Sequence, residues 1–225
     1  MKRSQINAIL RDTLAFLAEC RFHLPPFARW TPADWRERGP EADEIRDNLL
    51  GWDITDFGHG DFARVGLVLF TIRNGNYYDP RYPKPYAEKI LVADENQVTP
   101  LHFHTLKMED IIVRGGGNLL IEMRNATPDN RLADTPVVVS VDGTRRAFRP
   151  GEALRLTPGE SITLPPRLYH TFYGEEGKGR VLLGEVSRVN DDRTDNTFLD
   201  PVGRFPAIEE DEPPLHFLCT EYPRA

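Results

Sequence analysis

The chain has 225 residues, of which 40% are hydrophobic and 28% charged, with a formal net charge of −7. This composition suits a folded globular protein rather than a disordered one, and an acidic balance without a lysine/arginine stripe argues against nucleic acid, whose binding rests on phosphate neutralisation. No run approaches the roughly 20 apolar residues of a membrane helix, no signal-peptide core is expected at the N-terminus, and Cys20 and Cys219, far apart, read as free thiols in a reducing cytoplasm.

In chain order, Ile6, Ile9, Leu10, Thr13, Leu14 and Leu17 recur at three- and four-residue steps and predict a helix over residues 4–20. Pro25-Pro26 stops it. Thr31-Pro32-Ala33-Asp34 has a hydroxyl cap, a first-turn proline and an acid three residues on, so it opens a second helix that carries Trp35. A third short helix is expected over Glu41–Leu50. After Gly51 the pattern becomes β. Branched and aromatic residues predict strands at Phe62–Arg73, Ala87–Ala93, Asn118–Arg124, Val137–Val141, Glu152–Leu156, Ser161–Leu164 and Arg180–Ser187. Turn residues separate them, including Asp142-Gly143 and Pro158-Gly159. Many short strands at close spacing mean a sandwich or barrel. The simplest organisation is one domain over 1–225, with 1–50 a mostly helical extension and 51–225 the β-barrel and C-terminal segment.

The chemistry concentrates in Leu101-His102-Phe103-His104-Thr105-Leu106-Lys107-Met108-Glu109. Side chains two apart on a strand share a face, so His102 and His104 project together as half of a metal site. Glu109 has the wrong parity, and a turn or bulge between Thr105 and Met108 must reset the phase before it points inward. If the strand has resumed by Lys107, that lysine points with Glu109. Gly115-Gly116-Gly117 then reads as a tight turn ending the hairpin. His170, after Pro158-Gly159 and a proline-rich stretch, is the candidate fourth ligand. Three neutral imidazoles and one carboxylate leave open positions on a six-coordinate ion and suit Mn²⁺, Fe²⁺, Co²⁺, Ni²⁺ or Zn²⁺. His23, His59 and His216 read as packing or loop residues.

These residues resemble the two motifs of the cupin superfamily. His102, His104, Glu109 and Gly116 match the first; Gly159, Pro165 and His170 match the second, with Arg167 and Gly174 standing where that motif usually has glycine and asparagine. The resemblance implies a mainly β, cupin-type antiparallel β-barrel (jelly roll), which often pairs as a homodimer. Over nearly the whole chain the sequence further resembles the D-lyxose isomerase family. The segments that carry this are Phe22-His23-Leu24-Pro25-Pro26-Phe27-Ala28, Gly51-Trp52-Asp53-Ile54-Thr55-Asp56-Phe57-Gly58, Ala87-Glu88-Lys89-Ile90, Glu109-Asp110-Ile111-Ile112, Gly184-Glu185-Val186-Ser187, and Val189 through Asn196. That resemblance implies an Mn²⁺-dependent aldose–ketose isomerase with a monosaccharide substrate, interconverting D-lyxose with D-xylulose and D-mannose with D-fructose.

Such a reaction needs a carbonyl polariser, a base for the C2 proton and a proton donor for the oxygens. A metal can polarise O1 and O2 together and hold a cis-enediolate. Over Arg180–Ser187, alternation puts Val181, Leu183, Glu185 and Ser187 on one face, so Glu185 points into the barrel, where burial is expected to raise its pKa toward that of a general base. Lys107 is the candidate for stabilising oxyanion charge or donating a proton. Lys89 reaches the same cavity if it, rather than Glu88, is on the inner face. Asp195 and Arg188 are candidates for binding distal hydroxyls, with a polar surface loop as the alternative; Tyr169 and Trp52 are candidates for lining a sugar pocket, with the core as the alternative. Two other functions fit the ligand set: an Fe²⁺-dependent cupin dioxygenase and a non-catalytic sugar-binding cupin.

Overall fold

The periodic N-terminal segment forms α1 (Arg3–Glu19), which buries Ile6, Leu10, Thr13 and Leu17 along one stripe. The structure, a computed structural model, describes residues 1–224. Thr31 caps α2 (Pro32–Arg36) through a reciprocal capping box with Asp34, and Trp35 is buried as that helix packs. The third helical segment is shorter than expected: a 3₁₀ turn (Pro40–Ala42) leads into α3 (Asp43–Asp47). Leu49 then turns left-handed at φ 52°, a conformation an α-helix cannot propagate.

Among the described residues thirteen strands follow: β1 (Gly51–Thr55), β2 (Leu67–Arg73), β3 (Tyr86–Ala93), β4 (His102–His104), β5 (Glu109–Gly116), β6 (Leu119–Asn125), β7 (Val137–Val141), β8 (Thr144–Phe148), β9 (Ala153–Leu156), β10 (Ser161–Leu164), β11 (Leu168–Gly174), β12 (Val181–Arg188) and β13 (Asn196–Phe198). β2 starts later than predicted because Arg64 and Val65 donate to Asp61 O in a turn. β1, β8, β11 and β13 were not among the predicted strands. In β8 every residue but Phe148 is exposed, the mark of a charged edge strand with little hydrophobic signal.

The strands form two antiparallel sheets. One runs β1-β2-β3-β12-β5-β10-β7-β8 and the other β13-β4-β11-β6-β9. The β5–β6 connection is therefore not a hairpin turn, as the glycine triplet suggested. Gly115 and Gly116 remain in the β12 ladder, and the chain then crosses to the other sheet. At Gly116, with φ 75°, a Cβ would stand 2.3 Å from Arg180 O, so only glycine fits.

The sheets face one another across a single apolar cluster. It takes Leu69, Leu91, Ile111, Val113 and Leu183 from the larger sheet and Ile121, Met123, Leu168 and Phe172 from the smaller. The result is a two-sheet jelly roll rather than a continuously closed barrel. The larger sheet's other face packs against α1, where Ile6, Leu10 and Leu17 meet Val68, Phe70, Ile90, Val92 and Leu182. Burial on both faces explains why the first four residues of β2, Leu67 to Phe70, form an unbroken apolar run.

Candidate active site

The phase reset expected after His104 is present. Regular strand stops at His104 and resumes at Glu109, after which Glu109, Ile111 and Val113 face inward together. Asp195 shapes the intervening turn: its carboxylate accepts from Leu106 N (2.7 Å) and Lys107 N (2.9 Å), while its carbonyl accepts from Thr105 N (3.0 Å). Lys107 lies before the strand resumes, yet its side chain is only 2% exposed and points inward with Glu109.

β4 and β11 pair with His170 opposite His102, so the smaller sheet supplies three imidazoles from one patch. One nitrogen from each of His102, His104 and His170 lies within 4.8 Å of the others. A carbonyl oxygen only accepts, so His102 Nδ1 donates to Pro100 O (2.8 Å) and His170 Nδ1 to Leu168 O (3.0 Å). In the neutral rings this leaves each Nε2 lone pair for the interior, as metal-binding histidines require. Glu109 Oε1 stands 3.2 Å from His170 Nε2 and 3.3 Å from His104 Nε2. Two acceptors at that separation repel unless a proton or metal cation stands between them, so the donor set fits a cation. Burial, then the neighbouring imidazoles, holds His102 well below its ordinary pKa; burial and Lys107 lower His104. Burial alone would raise Glu109, but Lys107 and His104 hold it well below the carboxylate range.

The larger sheet supplies the charges that face this patch. Glu185 on β12 is in register with Lys89 on β3 and Ile111 on β5, and it shares the inner face with Val181 and Leu183 as the alternation implies. Glu185 is not alone among apolar neighbours: Lys107 Nζ lies 2.9 Å and Lys89 Nζ 3.5 Å from its Oε1, and Ser187 Oγ donates to it at 3.1 Å. Lys89 is the inner residue of its pair; Glu88 turns outward to Arg73 (2.8 Å). Lys89 Nζ also donates to Asn190 Oδ1 (2.7 Å) and lies 3.7 Å from Asp192 Oδ2. Arg204 Nη2 then joins Asp192 (3.1 Å) to Asp53 (2.7 Å). A chain of alternating charge, buried except for the partly buried Arg204 and Asp192, thus runs Asp53–Arg204–Asp192–Lys89–Glu185–Lys107–Glu109. Burial would raise Asp192, but Lys89 and Arg204 hold it well below the usual carboxylate range.

The other sequence candidates offer no free group to the site. Arg188 is exposed on the opposite face of β12 from Glu185. Tyr169 is buried on the opposite face of β11 from His170, donating to Asn130 O (2.7 Å) and packed edge-on against Phe103. Trp52 is core, its Nε1 donating to Ala28 O at 2.8 Å. Asp195 is at the site, but both its carboxylate oxygens are taken by the backbone of the turn. His23 and His59 are exposed, and His216 Nδ1 pairs with Trp30 O at 3.0 Å.

Sequence reasoning did not single out Asp53, Asp192, Asn196 or Arg204 as site residues; none belongs to a spacing motif. Asn196 is registered opposite His104 across β13–β4. Its Oδ1, Thr99 Oγ1, His104 Nδ1 and Arg204 Nη1 are buried polar atoms without a protein partner, and all four residues line the small cavity of about 40 Å³ between the sheets. Such atoms are rare in folded proteins and mark places where a ligand's polar groups belong. A second cavity of about 240 Å³ adjoins it and shares Asp192.

Arg167 occupies the position where cupins usually have glycine, and the reason for glycine is visible: φ there is +63°. The arginine is held by Nη2 donating to Thr127 O (2.8 Å) and Asn130 Oδ1 (2.9 Å), and it lies over the Phe103 ring. Its backbone N donates to His104 O at 2.8 Å, which fastens the second motif to the first.

A family model described as D-lyxose isomerase matches residues 1–222. A D-lyxose/D-mannose isomerase from Serratia proteamaculans is 55% identical over 225 residues, covering 100% of this chain and 99% of that protein. One from Escherichia coli O157:H7 is 52% identical over 223 residues, covering 99% and 98%. Among solved structures, Cellulomonas parahominis L-ribose isomerase with L-ribose superposes with a TM-score of 0.60 at 17% identity, covering 93% of this chain and 98% of that one; at that identity the likeness is one of fold.

Proposed function

The chain belongs to the D-lyxose isomerase family, and on that premise we propose that it is a metal-dependent aldose–ketose isomerase acting on D-lyxose and D-xylulose, and on D-mannose and D-fructose. The observation that carries this reading is Lys107 Nζ held between Glu185 and Glu109, next to three converging imidazoles.

His102, His104, His170 and Glu109 would hold the ion, and Mn²⁺ is the one the family resemblance implies. When bound, a divalent ion supplies Lewis-acid polarisation of a carbonyl and its neighbouring hydroxyl. Glu185 takes the proton from C2 and returns it to C1, while the proton of the O2 hydroxyl passes to O1, so that the C1 carbonyl becomes a hydroxyl and the C2 hydroxyl a carbonyl. Lys107 and Lys89, 2.9 Å and 3.5 Å from Glu185 Oε1, hold the carboxylate in place for that role, and Lys107 covers negative charge developing on the adjacent sugar oxygen. Arg204 Nη1, Asn196 Oδ1 and Thr99 Oγ1 offer one free donor, one free acceptor and one hydroxyl to a polyol. An Fe²⁺ dioxygenase has no use for a carboxylate base flanked by two ammonium groups, and a passive sugar binder does not need one.

We read residues 1–225 as one cupin unit. A homodimer and a cytoplasmic location complete the proposal: cupins often pair through sheet edges, and Cys20 and Cys219 are free thiols of the kind a reducing compartment preserves. No helix among the described residues is long and apolar enough to cross a membrane.

The test is a panel of aldoses and ketoses with protein supplied with Mn²⁺, with and without chelator, run in parallel with an oxygen electrode. Interconversion of D-lyxose and D-xylulose that chelation abolishes is the expected result. Oxygen uptake without isomerisation, or full activity after complete metal removal, overturns the proposal. In D₂O, proton transfer predicts solvent deuterium at the migrating position; its absence indicates a hydride shift.

A further inference from the structure

We propose that Asp53 is a positioning residue for sugar binding: it holds the Arg204 guanidinium at the cavity wall with Nη1 turned toward a distal hydroxyl of the substrate. The inference rests on the isomerase reading above.

Asp53 sits on β1 in register with Leu69 of β2, on the face turned to the interior, and is 3% exposed. Its Oδ2 lies 2.7 Å from Arg204 Nη2 in an ion pair, and the same nitrogen lies 3.1 Å from Asp192 Oδ2. One terminal nitrogen thus serves two carboxylates, while the other, Nη1, is buried without a partner. A purely structural ion pair would have both terminal nitrogens satisfied, because a buried guanidinium N–H without an acceptor is costly. The orientation makes sense if the acceptor is a group that enters the cavity.

Asp192 cannot fix that orientation unaided. Its carboxylate also accepts from Asn190 Nδ2 (2.8 Å) and lies 3.7 Å from Lys89 Nζ, so the pull on Arg204 from that side is divided. Asp192 and Arg204 both come from irregular segments, whereas Asp53 is fixed in a hydrogen-bonded ladder. Sites held by strands are more sharply placed than sites held by loops. Asp53 lines the larger cavity and Arg204 the smaller, so this pair is also part of the wall between them. Burial pushes the Asp53 carboxyl up and Arg204 opposes that rise, so each group needs the other.

The experiment is steady-state kinetics on D-lyxose with Mn²⁺-loaded wild type, Asp53→Asn, Asp53→Glu, Arg204→Gln and the double variant Asp53→Asn/Arg204→Gln. Asp53→Asn is expected to raise KM about tenfold with kcat within about threefold, the signature of lost binding rather than lost chemistry. Bound metal should be unchanged. Arg204→Gln should raise KM at least as far, and the double variant no further, because Asp53 acts through Arg204. Asp53→Glu, one methylene longer but still charged, should recover part of the loss. A folded Asp53→Asn with wild-type KM, or losses that add in the double variant, overturns the inference. If Asp53→Asn does not fold, Asp53→Glu decides: the displaced guanidinium predicts a raised KM with kcat kept, and a wild-type KM overturns the inference. A wild type inactive on D-lyxose and D-mannose overturns the isomerase reading and this inference together; an active wild type with an unaffected Asp53 variant overturns this inference alone.

Discussion

Lys107 Nζ donates to Glu185 Oε1 at 2.9 Å, joining residues 78 positions apart in the chain. The same ammonium lies 2.6 Å from Glu109 Oε2, and all three side chains are no more than 5% exposed. One buried cation therefore ties the proposed base to the proposed ligand carboxylate. Lys107→Met should leave two carboxylates facing each other in the interior and cost about 3 kcal/mol or more of stability. Turnover should fall by about a hundredfold or more. Denaturant titration and kinetics on the soluble variant check this; wild-type stability would show that the ammonium does not hold the carboxylates together.

Glu185→Gln keeps the shape of the side chain and its contact with Ser187 but removes the base. The expected result is full metal content with kcat reduced by about 10²–10⁴. Elemental analysis and D-lyxose turnover on the same preparation test it. A fully active variant removes Glu185 from the base role.

Arg3, 1% exposed on α1, pairs with Glu210 and Glu221 of the C-terminal segment. Arg3→Met should lower the melting temperature, with a loss of about 2–3 kcal/mol from breaking a buried pair, while kcat of the folded fraction stays unchanged. The Glu210 carboxyl is lowered by Arg3. A carboxyl with a depressed folded pKa stabilises fully above its unfolded value of about 4.3 and loses that contribution as pH falls through the folded value. Wild type should therefore lose stability on acidification below that point more steeply than Arg3→Met. Parallel curves would show that the pair contributes nothing.

At Arg167 the left-handed backbone and the side-chain contacts pull in opposite directions. Arg167→Ala keeps the conformational penalty and loses the contacts; Arg167→Gly loses the contacts but removes the penalty. The glycine variant should be the more stable of the two by about 1 kcal/mol. Equal stabilities, measured by urea unfolding, would show that the loop relaxes its backbone.

The local sequence signals were strong where one periodicity decides the outcome. Two-residue spacing put His102 and His104 on one face, the parity clash foretold the break before Glu109, alternation aimed Glu185 inward, and Thr31 with Asp34 marked a helix start. Where burial is not periodic the signal failed. β8 is exposed and charged, β1 is buried throughout, and the glycine triplet looks the same whether it closes a hairpin or carries the chain between sheets.

Periodicity determines which face a side chain occupies, and that much the chain carried on its own: the residues of both motifs, their inward direction, and a β fold that sets them inside. It says nothing about which strands become neighbours. Only the sheet order brought β3 beside β12, so that Lys89 meets Glu185, and laid β4 against β11, so that His170 meets His102. Asp192 and Arg204 lie on irregular segments with no period at all, and Asp195 spends its carboxylate on backbone amides 88 and 89 residues away. Partners that distant are selected by the packing of the whole molecule, where burying a charge without a counter-charge is too costly to persist.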